Sequence, residues 1–262
     1  MNKTHRTPGI AAPAPDHYAP VDHPGVPVPE DRRSWSVSWP EYTPVQITPP
    51  ELRPSALARH VPDWAEPHAT PDLVRDWTQR QADALVPFRL DERGRPLHPH
   101  GRTGRAGRNL GKWGENQAAD PIVVAGTGGQ RWVLLITRDD IGVEAIPGGM
   151  VDAGEKAPAA LVRELFEETG VDLTGQRHVI LGRQVVDDWR NTDEAWVAST
   201  SALYQLPEQV TATAGDDAAD AGWFPFNSLE QLTEAVAAAG RTLYPAHIPL
   251  LQRALEYLDQ QG

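Results

Sequence analysis

No cysteine occurs among the 262 residues, which excludes disulfides, thiolate metal sites and cysteine nucleophiles. No apolar run approaches the roughly 18 residues that span a bilayer, so no transmembrane helix is expected. The charged start of the chain is not followed by an apolar segment, so no secretory leader is expected and the cytoplasm is the expected location. Lysine is scarce: Lys3, Lys112 and Lys156 stand against 21 arginines. Positive charge is in deficit overall, with 24 basic and 36 acidic residues and a net charge of −12. That argues against nucleic-acid partners and against an anionic membrane surface. An anionic substrate would have to be bound through something positive.

What is present is divided by proline. Eighteen of the 25 prolines lie in residues 1–100, seven of them in residues 1–30. Residues 1–30 show no hydrophobic periodicity, and their composition suits a disordered arm. Removing them is expected to leave activity and melting temperature nearly unchanged. Residues 31–115 read as a small cap domain with its linker. Trp35, Val37 and Trp39 alternate with polar residues as in a half-buried strand, with Tyr42, Val45 and Ile47 as its continuation. Leu73, Val74, Trp77, Ala82 and Leu85 suit a short amphipathic helix. The glycine-rich stretch 101–114 lacks the spacing of a phosphate-binding loop and follows no apolar strand, so it reads as an ordered linker.

Residues 116–262 read as a regular α/β domain. Strands are expected at 122–125, 132–136, 179–186, 195–199, 202–206 and 223–226. Helices are expected at 156–169, from Ser228 to Gly240, and at 246–260. Ser228 with Gln231 three residues on has the spacing of a capping box, and Gly240 fits a helix stop.

The segment Gly148–Val171, GGMVDAGEKAPAALVRELFEETGV, carries the chemistry. Glu164, Glu167 and Glu168 fall at i, i+3 and i+4, on one face of a helix. Leu161, Val162, Leu165 and Phe166 form the opposite, apolar face. Like charges at these spacings repel, and Arg163 alone offsets them at helical spacing. Clustered carboxylates relieve such repulsion by binding a hard divalent cation. From spacing alone a metal site and a solvated acidic face both stay open.

Gly149, Glu155, Arg163, Glu164, Glu167, Glu168 and Gly170, with Leu165 and Val171 at the aliphatic positions, fit the pattern GX5EX7REUXEEXGU. The segment resembles the Nudix box, with every fixed position present. The resemblance implies the Nudix α/β/α sandwich with a mixed sheet, here preceded by the small proline-rich cap. It also implies Mg²⁺- or Mn²⁺-dependent hydrolysis of a nucleoside diphosphate linked to another moiety. By the same resemblance Glu164, Glu167 and Glu168 are metal ligands, and Glu155 with Arg163 holds the loop against the helix. Gly148 and Gly149 let the loop approach a pyrophosphate closely.

Further segments, from Trp113–Val123 through Val186–Trp196 to Tyr244–Leu251, are similar to the mitochondrial-type ADP-ribose pyrophosphatases. They are also similar to the ADP-ribose-binding domain at the end of melastatin-type TRP channels. This implies ADP-ribose as the substrate, cleaved to AMP and ribose 5-phosphate, with Asn116, Gly149, Asp188, Arg190, Tyr244 and His247 as its contacts. The general base would be a box glutamate or an acid of the later turn, Asp216 or Asp217, with Asp217 as the candidate. Two alternatives stay open: a Nudix hydrolase of another nucleotide sugar or dinucleotide, and a non-catalytic ADP-ribose sensor. The sequence departs from the family at Trp189, where proline is usual, and at Glu144, where tryptophan is usual.

Overall fold

The computed structural model describes residues 24–215 and 218–261. Most of the expected arm, residues 1–23, lies outside the described residues, as do Asp216 and Asp217. The N-terminal part is built from short pieces: α1 (Glu30–Arg33), β1 (Val45–Gln46), α2 (Pro54–Leu57), α3 (Trp77–Asp83), β2 (Arg89–Leu90), β3 (Pro96–Leu97) and β4 (Arg105–Ala106). β1 pairs parallel with β4, and β2 pairs antiparallel with β3.

The expected strand at Trp35–Trp39 is instead a series of bends and turns. The cause is Arg102, which is buried. Its guanidinium donates to the carbonyls of Arg32, Ser34 and Val37 at 2.7–2.9 Å. It also lies 5.0 Å from the Trp35 ring and 5.9 Å from the Trp39 ring. Carbonyls that converge on one cation cannot also form a ladder, so the segment wraps around Arg102. The expected helix is realised over α3, preceded by a 3-10 turn at Pro71–Leu73.

The rest of the chain forms β5 (Gly114–Ala125), β6 (Trp132–Arg138), β7 (Glu144–Ala145), β8 (Gly149–Met150), α4 (Ala157–Thr169), β9 (His178–Val185), β10 (Ala195–Leu206), β11 (Ala218–Pro225), α5 (Leu229–Ala238) and α6 (Ile248–Asp259). One seven-stranded mixed sheet runs in the order β11-β6-β5-β10-β9, with β7 on β6 and β8 on β5. β5 and β10 are parallel from Gly114↔Ala195 to Ala125↔Leu206; the other pairs in this sheet are antiparallel. The two strands read separately at 195–199 and 202–206 are one strand, with a pairing irregularity at Ser201/Ala202 where it meets β9.

The strand period of two divides the core. Val123 and Leu134 join Ala160, Leu161 and Leu165 of α4 on one face. Ile122, Val124, Val133 and Leu135 join Leu232, Leu250, Leu251 and Leu255 of α5 and α6 on the other. Helices cover both faces, which is why β5 is apolar without alternation from Ala118 to Ala125, Asp120 excepted. The Ser228 side chain caps α5 by accepting from Gln231 N at 3.1 Å.

The N-terminal part packs on this sheet through Val74, Trp77 and Phe88 against Trp113, Val185, Trp196 and Ala198. Within residues 24–30 of the expected arm the chain is tied to the N-terminal part: Val26 N donates to Gly104 O at 3.1 Å. Two truncations are therefore expected to differ. Deletion through residue 30 removes this bond and costs about 1 kcal/mol more than deletion through residue 23. Chemical denaturation of the two proteins measures the difference.

Candidate active site

The box loop is held by its neighbours on both sides. β8 pairs with β5, placing Met150 opposite Ala118 and Gly149 opposite Ala119. A Cβ on Gly148, whose φ is 154°, would meet the Ala119 carbonyl oxygen at 2.5 Å, so glycine is needed there; at Gly149 a Cβ would meet only the Glu164 carboxylate, at 2.4–2.6 Å. α4 ends at Gly170, whose left-handed φ of 66° suits a residue without Cβ. Within α4, Leu161 and Leu165 are buried, whereas Phe166 is 55% exposed and not part of the apolar face as expected. It is turned 100° past Leu165, off the edge of the buried arc. Glu164 and Glu168 flank the opposite shoulder of that arc and are only partly exposed.

Arg163 is the centre of the box. It donates to Glu155 at 3.1 and 2.8 Å, to Glu167 at 2.9 Å and to the Met150 carbonyl at 3.0 Å. It also lies 2.9 Å from Glu164. The Glu155 carboxyl is held below its ordinary range by the Arg163 hydrogen bond, and it accepts from Asp152 N at 3.1 Å. Loop and helix are thus tied by one arginine.

For Glu164 and Glu168 burial outweighs such compensation. Burial pushes Glu164 up to about 7, against the pull of Arg163. Burial pushes Glu168 up to about 8, assisted by repulsion from Glu164 and Asp120, although Glu168 accepts from Gly148 N at 2.7 Å. Among the described residues no group of three or more acids, histidines or cysteines is already arranged to hold a metal. Arg163 draws Glu164 and Glu167 to itself while Glu168 sits on Gly148, so assembly of a cation site needs side-chain rotation. The donor set nevertheless fits a hard divalent cation. All its atoms are carboxylate oxygens, and two of the three acids are short of positive charge.

These groups line a cleft of about 970 Å³. Gly148, Gly149, Arg163, Glu164, Glu167, Glu168, Asp188, Arg190 and His247 all face it. Arg190 grips Asp188 through both carboxylate oxygens, at 2.8 and 2.9 Å. Burial disfavours the charged form of Asp188, but Arg190 outweighs it and holds the carboxyl well below the usual range. The partner of Arg190 is therefore Asp188 itself. The Trp189 ring lies 5.8 Å from the guanidinium.

Tyr244 stands behind this pair, buried, with its hydroxyl 3.4 Å from Asp188 and its ring 5.1 Å from the Arg138 guanidinium. It stacks edge-on against His247. Nδ1 of His247 accepts from Ile146 N at 3.0 Å, and burial lowers its pKa to about 3, so the ring is neutral. His98, buried in the N-terminal part, is likewise lowered to about 3. Each histidine has a folded pKa below its ordinary value near 6.5, so the unfolded chain takes up protons first as pH falls. The contribution of these two histidines to stability is expected to fall as pH drops from about 6.5 toward 3. Thermal melts across that range should show a smaller drop in His247→Gln.

Not every expected contact reaches the cleft. Asn116 is buried and engaged with backbone: it accepts from Lys112 N at 2.8 Å and donates to the carbonyls of Lys112 and Gly114. Neither Asn116 nor Tyr244 is among the residues lining the cavity, and Glu155 acts through Arg163. Asp217 lies outside the described residues. The lining residues that sequence reasoning did not assign to the site include Trp64, Asp120, Arg138, Asp139 and Asp140. Asp120 is buried, hydrogen-bonded by the Ser199 hydroxyl and raised to about 6 by burial. A lone charge inside the apolar run of β5 was the available signal for it.

Glu144, the second departure from the family pattern, is fully buried. It accepts from the Thr137 hydroxyl at 2.5 Å and from Arg241 at 2.8 Å. Its backbone bonds Thr242 and Tyr244, so it fixes the entry to the last helix.

Comparison with known proteins places this architecture. Residues 115–246 match the NUDIX domain model, and residues 28–114 match the model of the NUDT9-like N-terminal domain. The chain belongs to the Nudix hydrolase family. It is 35% identical over 245 residues to the mitochondrial ADP-ribose pyrophosphatase of Rattus norvegicus, covering 75% of this chain and 66% of the rat protein. It is 35% identical over 226 residues to a nudix hydrolase-type protein of Caenorhabditis elegans, covering 78% and 84%. It is 30% identical over 267 residues to a TRP channel subfamily M member-like 2 protein of Nematostella vectensis, covering 86% of this chain and 16% of the channel. The match thus spans about two thirds of the rat protein and a small part of the channel. Among the described residues no helix is long and apolar enough to cross a membrane.

Proposed function

We propose that this protein is an ADP-ribose diphosphatase, hydrolysing ADP-ribose to AMP and ribose 5-phosphate with Mg²⁺ or Mn²⁺ in the cytoplasm. The observation that carries the reading is one cleft lined by Gly149, Arg163, Glu164, Glu167 and Glu168 of the box together with Asp188, Arg190 and His247. Its volume suits a ligand of nucleotide-sugar size. The rat relative named for ADP-ribose hydrolysis supports the choice of substrate.

Glu164, Glu167 and Glu168 would hold the cation, which neutralises phosphate charge and promotes ionisation of the attacking water. Water adds to one phosphorus, the anhydride P–O bond breaks, and the proton lost from water passes to a box glutamate or to Asp217. Arg163 keeps the loop on the helix by holding Glu155 and the Met150 carbonyl. Asp188 fixes the Arg190 guanidinium at the cleft wall, ready to donate to a polar end of the ligand. His247 offers neutral Nε2–H while Nδ1 stays on Ile146. Ile136, Ile146, Val186 and Val197 form the apolar wall.

A pure sensor has no need of three acids crowded at a cost to the metal-free fold, and all three are present here. The test is product analysis. The purified protein with Mg²⁺ is expected to convert ADP-ribose into equimolar AMP and ribose 5-phosphate, and a chelator to stop it. Binding of ADP-ribose without products would favour the sensor.

A further inference from the structure

Trp64 lines the same cavity as Glu164, Glu167 and Arg190 but has no part in the diphosphate chemistry. Its side chain is 57% exposed, although a buried indole would contribute far more to stability. Among the described lining residues it is the one large aromatic ring besides the His247 imidazole. An exposed aromatic at the wall of a charged cleft marks a place where a flat, partly apolar ligand group settles.

The chain beneath Trp64 is firmly fixed. The Trp64 carbonyl lies so close over Gly111 that a Cβ there would meet it at 2.5 Å. Glu66 N donates to the Gly111 carbonyl at 2.9 Å. The Glu66 carboxylate accepts from Arg80 at 2.6 Å and from Trp113 N at 2.6 Å. Arg108, fully buried, donates to the Glu66 carbonyl at 3.1 Å. A buried ionic anchor two residues from an open indole holds the ring's backbone in place while leaving its face free. Such preorganisation lowers the entropy lost when a ligand docks.

We propose that Trp64 is the nucleobase platform of the cleft, its indole face stacking on the base of the bound nucleotide. This rests on the reading of the cleft as a nucleoside diphosphate site. The N-terminal part thereby contributes directly to substrate recognition.

Trp64→Ala and Trp64→Phe test it in the full chain with Mg²⁺. Trp64→Ala is expected to raise KM for ADP-ribose at least about 5-fold with kcat little changed, since the base loses its aromatic stacking partner. Trp64→Phe, which keeps a π face, should recover most of that loss. An analogue of ADP-ribose without its base should show the same KM in wild type and Trp64→Ala. Calorimetry with AMP alone should show weaker binding to Trp64→Ala, and binding of ribose 5-phosphate should not change. Unchanged KM for ADP-ribose, an equal KM rise for the base-less analogue, or no AMP binding by wild type each overturns the platform. If wild type leaves ADP-ribose intact, the substrate reading fails, and the AMP titration still decides the role of Trp64.

Discussion

Glu168→Gln is expected to lose at least ~1000-fold in kcat, about 4 kcal/mol of transition-state stabilisation, while the metal-free protein melts no lower than wild type. The two halves of this result have one cause. Glu168 is buried beside Glu164 and Asp120, and its carboxyl is raised to about 8. Without a cation its charge is therefore disfavoured in the fold, and a neutral amide relieves it. The amide oxygen can still accept from Gly148 N, as the Glu168 carboxylate does in the structure. What the amide cannot do is complete the negative donor set for a divalent cation. Mg²⁺ is accordingly expected to raise the melting temperature of wild type and not that of Glu168→Gln. Glu164→Gln should behave alike. A variant with near-wild-type kcat at saturating Mg²⁺ would remove that residue from the ligand set.

Arg190→Ala should damage stability and selectivity together, and a second substitution should separate them. Asp188 is buried and owes its charge to Arg190. Removing the arginine strands a buried carboxylate, with an expected loss of about 3 kcal/mol. Adding Asp188→Asn removes the stranded charge and should restore most of that loss. It should not restore discrimination, because the donors that hold one end of the substrate are still missing. Denaturation midpoints and the ratio of kcat/KM for ADP-ribose to that for ADP-glucose, measured on the single and double variants, give the two quantities independently. Recovery of both would mean that Arg190 acts only as the structural partner of Asp188.

The parts of this molecule legible in the sequence are those fixed by short-range pattern. Helical spacing puts Glu164, Glu167 and Glu168 on one face, while their reading as a metal site comes from the resemblance to the Nudix box; the short apolar run at 132–136 marks β6, and the placement of Leu161 and Leu165 marks α4. The Asp188–Arg190 pair is two residues apart, so its members were visible together. Long-range determinants were not. Alternation at Trp35, Val37 and Trp39 suggested a strand because nothing local reveals that Arg102 collects the carbonyls of Arg32, Ser34 and Val37 from 65 or more residues away. Asn116 looked like a ligand contact, yet its amide closes the turn at Lys112–Gly114. Phe166 continued an apolar face whose width is set by the sheet beneath it. Trp64 carried no signal at all, since only the folded N-terminal part brings it to the cleft.

The central claim is substrate choice, because the box reads only the diphosphate that every Nudix substrate shares. A site that hydrogen-bonds a terminal ribose leaves buried polar groups unpaired when that group is absent. The most direct measurement is kcat/KM for ADP-ribose, ADP, ADP-glucose and NAD, side by side with saturating Mg²⁺. ADP-ribose should exceed each of the others by at least ~100-fold, about 2.7 kcal/mol. A nucleotide sugar or NAD cleaved as efficiently as ADP-ribose would contradict the account.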